Sequence, residues 1–174
     1  MKKIKVSLSP EGIDTLLKEI ADWEKWVQER TEIFLERLAQ EGVNVASASF
    51  KAATYDGTND VSVRLERRDK GVYAVVATGK ATLFIEFGTG VTYPDIHPES
   101  VENGMIRGTY GKGNGKKKMW GYYGEPGTNG VEHYNKKTGQ IVILTRGNPA
   151  NMCMYSAVKN LEEIVRDIAR EVFQ

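Results

Sequence analysis

Apolar residues recur at three- and four-residue steps through Ile13, Leu16, Leu17, Ile20, Trp23, Val27, Phe34, Leu35 and Leu38, with charged residues between them. That period marks one face of an α-helix. The helix has a clear start. Ser9 suits an N-cap because its hydroxyl accepts from a free backbone N–H, and Pro10 suits the first helical position, where a missing N–H costs nothing. Leu8 and Ile13 occupy the two positions of a hydrophobic staple. Gly42 is the expected stop. Unbroken to that point, the helix is about 48 Å long, more than a compact domain of this size needs. Two readings stand side by side: a helix lying across a sheet, broken near 29–31, or a helix whose stripe around Trp23 and Trp26 meets another subunit. Aromatic side chains serve both cores and interfaces.

Strand signals follow. A short strand is expected over 3–8, and small and apolar residues run from 43 to 50. The turn "YDGTND" over 55–60 leads into Val61, Val63 and Leu65 alternating with Ser62, Arg64 and Glu66, the period-two pattern of a half-exposed strand. Residues 68–71 turn the chain back into 72–77, and Gly79 and Lys80 turn it again. The stretch the chain is organised around comes next, "TLFIEFGTG" over 82–90. Read as a strand, it places Leu83, Ile85 and Phe87 on one side and Phe84 and Glu86 on the other, ending where Gly88 and Gly90 permit a sharp turn. Glu86 is expected at a sheet edge or beside a basic group, or as a buried acid. The pattern reads as an antiparallel meander with helices over one face.

Residues 91–139 change character. They hold ten of the eighteen glycines and six aromatics, Tyr93, Tyr110, Trp120, Tyr122, Tyr123 and Tyr134, with no clear period, and read as a long loop inserted in a single domain spanning 1–174. Arg107, Lys112, Lys116, Lys117 and Lys118 lie within 103–124, which contains no acidic residue. "QIVILT" over 140–145 returns to the sheet as a short strand. Asn148 and Pro149 offer an N-cap and a first-turn proline. Met154, Ala157, Val158, Leu161, Ile164, Val165, Ile168 and Val172 then form a helical stripe whose wet face lets Glu162 pair with Arg166. The expected class is α+β: a long N-terminal helix, a twisted and mainly antiparallel sheet, a long Gly- and aromatic-rich loop, and a C-terminal helix packed on the sheet.

Charge and chemistry narrow the function. With 24 basic and 23 acidic residues, no whole-protein field collects nucleic acid, so charge-driven binding must be local. The single Cys153 forms no internal bridge and suits a reducing cytoplasm; no signal peptide or membrane span is expected. "GKGNGKKK" fails as a phosphate loop, because Tyr110 stands where the first glycine is needed and Lys117 follows Lys116 in place of Ser or Thr. Asp95, His97 and Glu99 in "DIHPE" are metal-competent types, but the proline-bracketed turn reads better as solvated side chains. No nucleophile is marked, and no enzyme, cofactor or metal is expected. The lysines and aromatics of the loop suit a protein contact first; single-stranded nucleic acid is the alternative, with bases stacked on rings and phosphates on lysines.

Taken in order, "ATLFIEFGTGVTYPDIHPE", the Gly/Tyr/Trp-rich loop, "GNPANMCMYSA" and "IAREVF" resemble the tail-component family of long-tailed phages and prophages, the tail-completion or head-tail joining proteins. The likeness is densest over 55–90 and 147–173, and 91–139 is longer than the simplest members need. It implies a non-enzymatic virion part, made in the bacterial cytoplasm, that forms a ring at the neck, a hexamer by analogy with phage tails. The implied partners are its own copies, the head-tail connector, and tail-tube or tail-terminator proteins, with transient DNA contact and no membrane. The stripe of the long helix offers Trp23 and Trp26 as interface candidates, and the matched segments offer Phe84, Glu86, Phe87, Gly88, Gly90, Asn148, Pro149 and Tyr155 as structural or interface candidates. As lumen- or DNA-facing residues the loop offers Arg107, Lys112, Lys116, Lys117 and Lys118.

Overall fold

Helix α1 (Pro10–Ala52) runs 43 residues, about 64 Å at 1.5 Å per residue. Its start is the expected one: the Ser9 hydroxyl accepts the Gly12 N–H at 3.2 Å, and Pro10 occupies the first turn. Its end is not. The helix passes through 29–31 without a break, passes Gly42, and takes in 43–50, where Ala46 and Phe50 are buried. Alternating small residues there fit a helix crossed closely on one face as well as they fit a strand. The computed structural model describes residues 7, 9–90, 96–106, 118–127 and 130–174; the strand expected over 3–8, and Leu8 of the staple, lie outside them.

Gly42 is a packing notch. A Cβ there would stand 2.9 Å from Val75 Cγ2 and 3.2 Å from Leu161 Cδ1. Bare backbone at this point lets the following hairpin and the C-terminal helix close on α1 together. Gly42→Leu is therefore expected to cost about 1–3 kcal/mol through overpacking. Gly42→Ala is expected to cost less, because a better helix former regains about 1 kcal/mol. Urea unfolding of the two variants reads the difference.

The hairpin consists of β1 (Ser62–Asp69) and β2 (Val72–Thr78), antiparallel and joined at Lys70 and Gly71. Leu65 pairs with Val75 and Arg67 with Tyr73, and cross-strand partners share a face. That face lies on α1, where Glu32 accepts from both Arg67 at 2.9 Å and the Tyr73 hydroxyl at 3.0 Å. Asp60 then shapes the next turn, its carboxylate accepting the N–H groups of Lys80 and Ala81 at 2.9 Å each. Those bonds hold the exposed Asp60 carboxyl below its ordinary range.

The organising stretch is a helix, not a strand: α2 spans Thr82–Phe87. Six apolar-rich residues satisfy either period, and the preceding turn decides, delivering the chain so that Ile85 N–H bonds the Ala81 carbonyl at 2.9 Å. Ile85 enters a core cluster with Phe50, Ala81 and Cys153.

The segment expected as one loop also carries structure. β3 (Trp120–Tyr122) and β4 (Val131–Asn135) flank β5 (Gln140–Thr145) in a separate antiparallel sheet of order β3-β5-β4. "QIVILT" is a strand, as expected, yet it joins this sheet and not β1 and β2. Its hairpin with β4 turns at Gly139, whose φ of 70° is the left-handed backbone that a glycine supplies cheaply.

Helix α3 (Cys153–Val172) begins four residues later than Asn148 and Pro149 suggest. It runs antiparallel to α1: Leu161 lies by Gly42, Glu171 pairs with Arg37, and Phe173 meets Phe34 and Trp26. Glu162 pairs with Lys159 on the wet face, in place of the expected Arg166. The α+β class stands, with α1 as the principal surface on which α3 packs.

Candidate assembly site

The first turn of α3 has no acceptor of its own. Met152 stands at the cap position with φ 53°, a left-handed residue whose side chain makes no cap hydrogen bond. Glu86, in the last turn of α2, supplies what is missing. Its Oε2 accepts the Met154 N–H at 2.7 Å and its Oε1 accepts the Tyr155 N–H at 3.0 Å, a carboxylate at the positive end of the helix dipole. His97 completes the arrangement with Nε2 3.1 Å from Oε1. Its Nδ1 accepts the Glu99 N–H at 3.1 Å, so Nε2 carries the hydrogen that bonds Glu86. The ring lies 4.4 Å from that of Phe87 and 5.5 Å from that of Tyr155, centroid to centroid. Both carboxylate oxygens and both ring nitrogens are thus engaged by protein groups, an arrangement that locks α2, 97–99 and α3 together.

Two asparagines close the other side of the joint. Asn151 Oδ1 accepts the Thr54 N–H at 2.8 Å, and its Nδ2 lies within 3.1–3.3 Å of the carbonyls of Thr54, Ile85 and Pro149. Asn148 Oδ1 accepts the Asp56 N–H at 2.8 Å, while its backbone exchanges bonds with Thr89: Asn148 N–H to the hydroxyl, and Thr89 N–H to the Asn148 carbonyl. Asn148 is therefore a buried clasp between the end of α1 and the 88–90 turn, not the cap of α3. Gly88 and Gly90 sit in that turn with φ of 78° and 93°.

Cys153 opens α3 inside this joint, fully buried. Burial first, and then the Glu86 charge, push its thiol from an ordinary value near 9.0 up to about 12. Because the folded value lies above the unfolded one, the stability linked to this thiol is whole below pH 9 and is lost as pH rises toward 12. Iodoacetamide at pH 8 is expected to leave the folded thiol unmodified and to alkylate it in urea. Above pH 9, the urea midpoint is expected to fall less steeply in Cys153→Ala than in the parent.

The interface candidates divide accordingly. Glu86, Phe87, Gly88 and Asn148 are buried within the subunit, with Phe84, Pro149 and Gly90 half-buried beside them. Tyr155 is half-buried against His97 and carries the Lys159 ammonium 5.6 Å over its ring. They form an internal joint. The two tryptophans also part. Trp26 packs edge-on to Phe173 at 6.3 Å, with Arg30 over its ring, whereas Trp23 is 59 % exposed. Beyond Trp26 the stripe continues through Ile20, Leu17 and Ile13, all exposed. Lys118 is exposed, and Arg107, Lys112, Lys116 and Lys117 lie outside the described residues, as does Asp95. Among the described residues no group of three His, Cys, Asp or Glu side chains is placed to hold a metal, and no helix is long and apolar enough to cross a membrane.

Asn151 and the partnership of Glu86 with His97 were not singled out from the sequence. The signal available was an asparagine three residues beyond Asn148 in "NPAN", a residue type that readily binds nearby backbone. The chain matches no family model, no curated protein and no solved structure.

Proposed function

We propose that the protein is a structural component of a long-tailed phage or prophage virion, a tail-completion or head-tail joining subunit that forms a ring at the neck. The observation that carries this reading is the uncovered end of α1. Residues 10–25 extend past the C-terminal end of α3, and their apolar stripe of Ile13, Leu17, Ile20 and Trp23 stands exposed. A subunit that works alone gains nothing from such a ridge, and an assembling one uses it as an interface. A second observation agrees. Two of the segments that carry the resemblance meet in one hydrogen-bonded joint, through Ile85, Glu86 and His97 of one and Asn151, Met154 and Tyr155 of the other. In this reading the ring meets the head-tail connector on one side and tail-tube or tail-terminator proteins on the other. The lysines around Lys118 face the passing DNA.

Light scattering on the purified protein, with negative-stain images of the same fractions, tests the proposal. A ring-shaped species of several copies is expected. A monomer at every concentration overturns the self-assembly at its centre. For the lumen assignment, charge reversal at Lys116, Lys117 and Lys118 is expected to impair DNA delivery from assembled particles; unchanged delivery removes that part alone.

A further inference from the structure

The exposed stripe has charged borders that select what can cover it. Over 11–25 there are five acidic residues, Glu11, Asp14, Glu19, Asp22 and Glu24, against Lys18 and Lys25. Ile13, Leu16, Ile20 and Trp23 follow the three-four spacing of a coiled-coil seam. In a parallel pair of such segments, however, Glu19 of one copy stands opposite Glu24 of the other, and the segment's net negative charge opposes either orientation. The ridge is built against pairing with itself. It calls for an apolar surface with a basic border.

The β1 and β2 hairpin presents one. Val63, Leu65, Val75 and Ala77 face α1 and the core, so the alternate residues turn away from α1. On that outer face Arg64 is paired with Val76 and Glu66 with Ala74, with Arg68 and the 48 %-exposed Val72 at the turn end. Arg64 and Arg68 both pair with the single carboxylate of Glu66 on this face and leave it a net positive charge, opposite in sign to the ridge, while Arg67 and Lys70 turn to Glu32 and Gln28 of α1. The lengths agree as well. Ile13 to Trp23 covers about 15 Å of helix, within the roughly 23 Å of a seven-residue strand.

The ridge and the outer hairpin face cannot meet in one subunit. Helix α1 is continuous from Pro10 to Ala52, and its own middle lies under the inner face of the hairpin, at Glu32 and Gly42. We infer that residues 13–23 of one copy dock on the outer face of β1 and β2 of the next, the acidic borders of the helix against Arg64 and Arg68. Two different surfaces then meet, a head-to-tail contact that repeats from copy to copy and closes into a ring when its rotation permits. This interface rests on the self-assembly proposed above and names the surfaces that carry it.

Cysteine pairing tests it directly, since Cys153 is buried and does not compete. Ile20→Cys, Ala74→Cys and the double variant are oxidised at assembling concentration, after far-UV circular dichroism has confirmed parental helix content in each. A disulfide ladder of dimer, trimer and higher forms is expected from the double variant only. Arg64→Glu with Arg68→Glu is expected to weaken self-association at least tenfold, and adding Glu19→Lys with Asp22→Lys to restore part of the loss. Dimers from Ile20→Cys alone overturn the inference, because the ridge then meets itself. An assembled protein whose double variant yields no ladder overturns this interface while the ring survives. A monomer at every concentration overturns both.

Discussion

Glu86→Ala is expected to lower the unfolding free energy by about 3–5 kcal/mol, because three donors lose one buried acceptor together. The Met154 and Tyr155 N–H groups and His97 Nε2–H all donate to this one carboxylate, and water has little access to replace it, since Glu86 is 5 % exposed. Each buried donor left unsatisfied costs about 1–3 kcal/mol. With an m-value near 2 kcal/mol/M, the urea midpoint moves down by about 2 M. Glu86→Gln keeps the shape and one acceptor but turns an amide N–H₂ toward a donor, so about half the loss is expected. His97→Gln is expected to cost less than Glu86→Ala, because both helix N–H groups keep their carboxylate. If Glu86→Ala unfolds within 1 kcal/mol of the parent, the start of α3 is held by something other than this residue.

The second large effect is expected at Asn151. Its amide bonds Thr54 in both directions and reaches the carbonyls of Ile85 and Pro149, so truncation releases the chain after α1 from the approach to α3, while the Asn151 N–H keeps its bond to the Ile85 carbonyl at 2.9 Å. Asn151→Ala is expected to cost about 2 kcal/mol, below the Glu86 figure because the site is only half-buried and water can take over part of the bonding. Asn151→Asp discriminates the two directions of that bonding. It keeps the acceptor for Thr54 N–H but loses the donors and sets a carboxylate against backbone carbonyls, so at neutral pH it is expected to be no more stable than the alanine variant. Amide exchange reports the same event locally. The Thr54 amide should exchange much faster in Asn151→Ala, while amides in the middle of α1, near Gly42, keep their protection under native conditions. Unchanged protection at Thr54 would show that Asn151 does not hold this amide.

Elements whose signals are local were readable from the chain itself. Ser9 with Pro10 starts α1 because a hydroxyl and a missing N–H act within one turn, and the alternation of Val63 and Leu65 with Arg64 and Glu66 declares β1 for the same reason. The hairpin of β4 and β5 had a comparable signal in Asn135, whose side chain accepts from Lys137 N–H, and in Gly139, but the surrounding glycines hid it. What was not readable depends on partners distant in sequence. Gly42 looks like a helix stop until Val75 and Leu161 are brought to it. "TLFIEF" carries no period of its own, and the Asp60 turn settles its state from twenty residues upstream. Asn148 has the right type for a cap and is drawn away by Asp56 and Thr89. Glu86 was noticed as an acid in an apolar run, yet its role follows from an α3 whose own cap position holds Met152. The residues of 82–90 and 147–155 are thus the least interpretable alone, because their chemistry is shared between segments of chain far apart.

The asparagine clasp also sets an order of events in time. Thr54 and Asn151 are 97 residues apart, Asp56 and Asn148 are 92 apart, and Arg37 and Glu171 are 134 apart. Contacts of such separation close large loops before any bond rewards them, and so form late. On the ribosome α1 emerges first, and its hairpin can join it early, but the joint that holds α2 and α3 has no second half until nearly the whole chain has been made. Over that interval the apolar face that α3 will cover is open along with the ridge beyond it. If residues 13–23 dock on the hairpin of another copy as proposed, both surfaces of that contact are complete before the subunit is finished, and the hazard of premature association rises with the local density of nascent chains on one messenger.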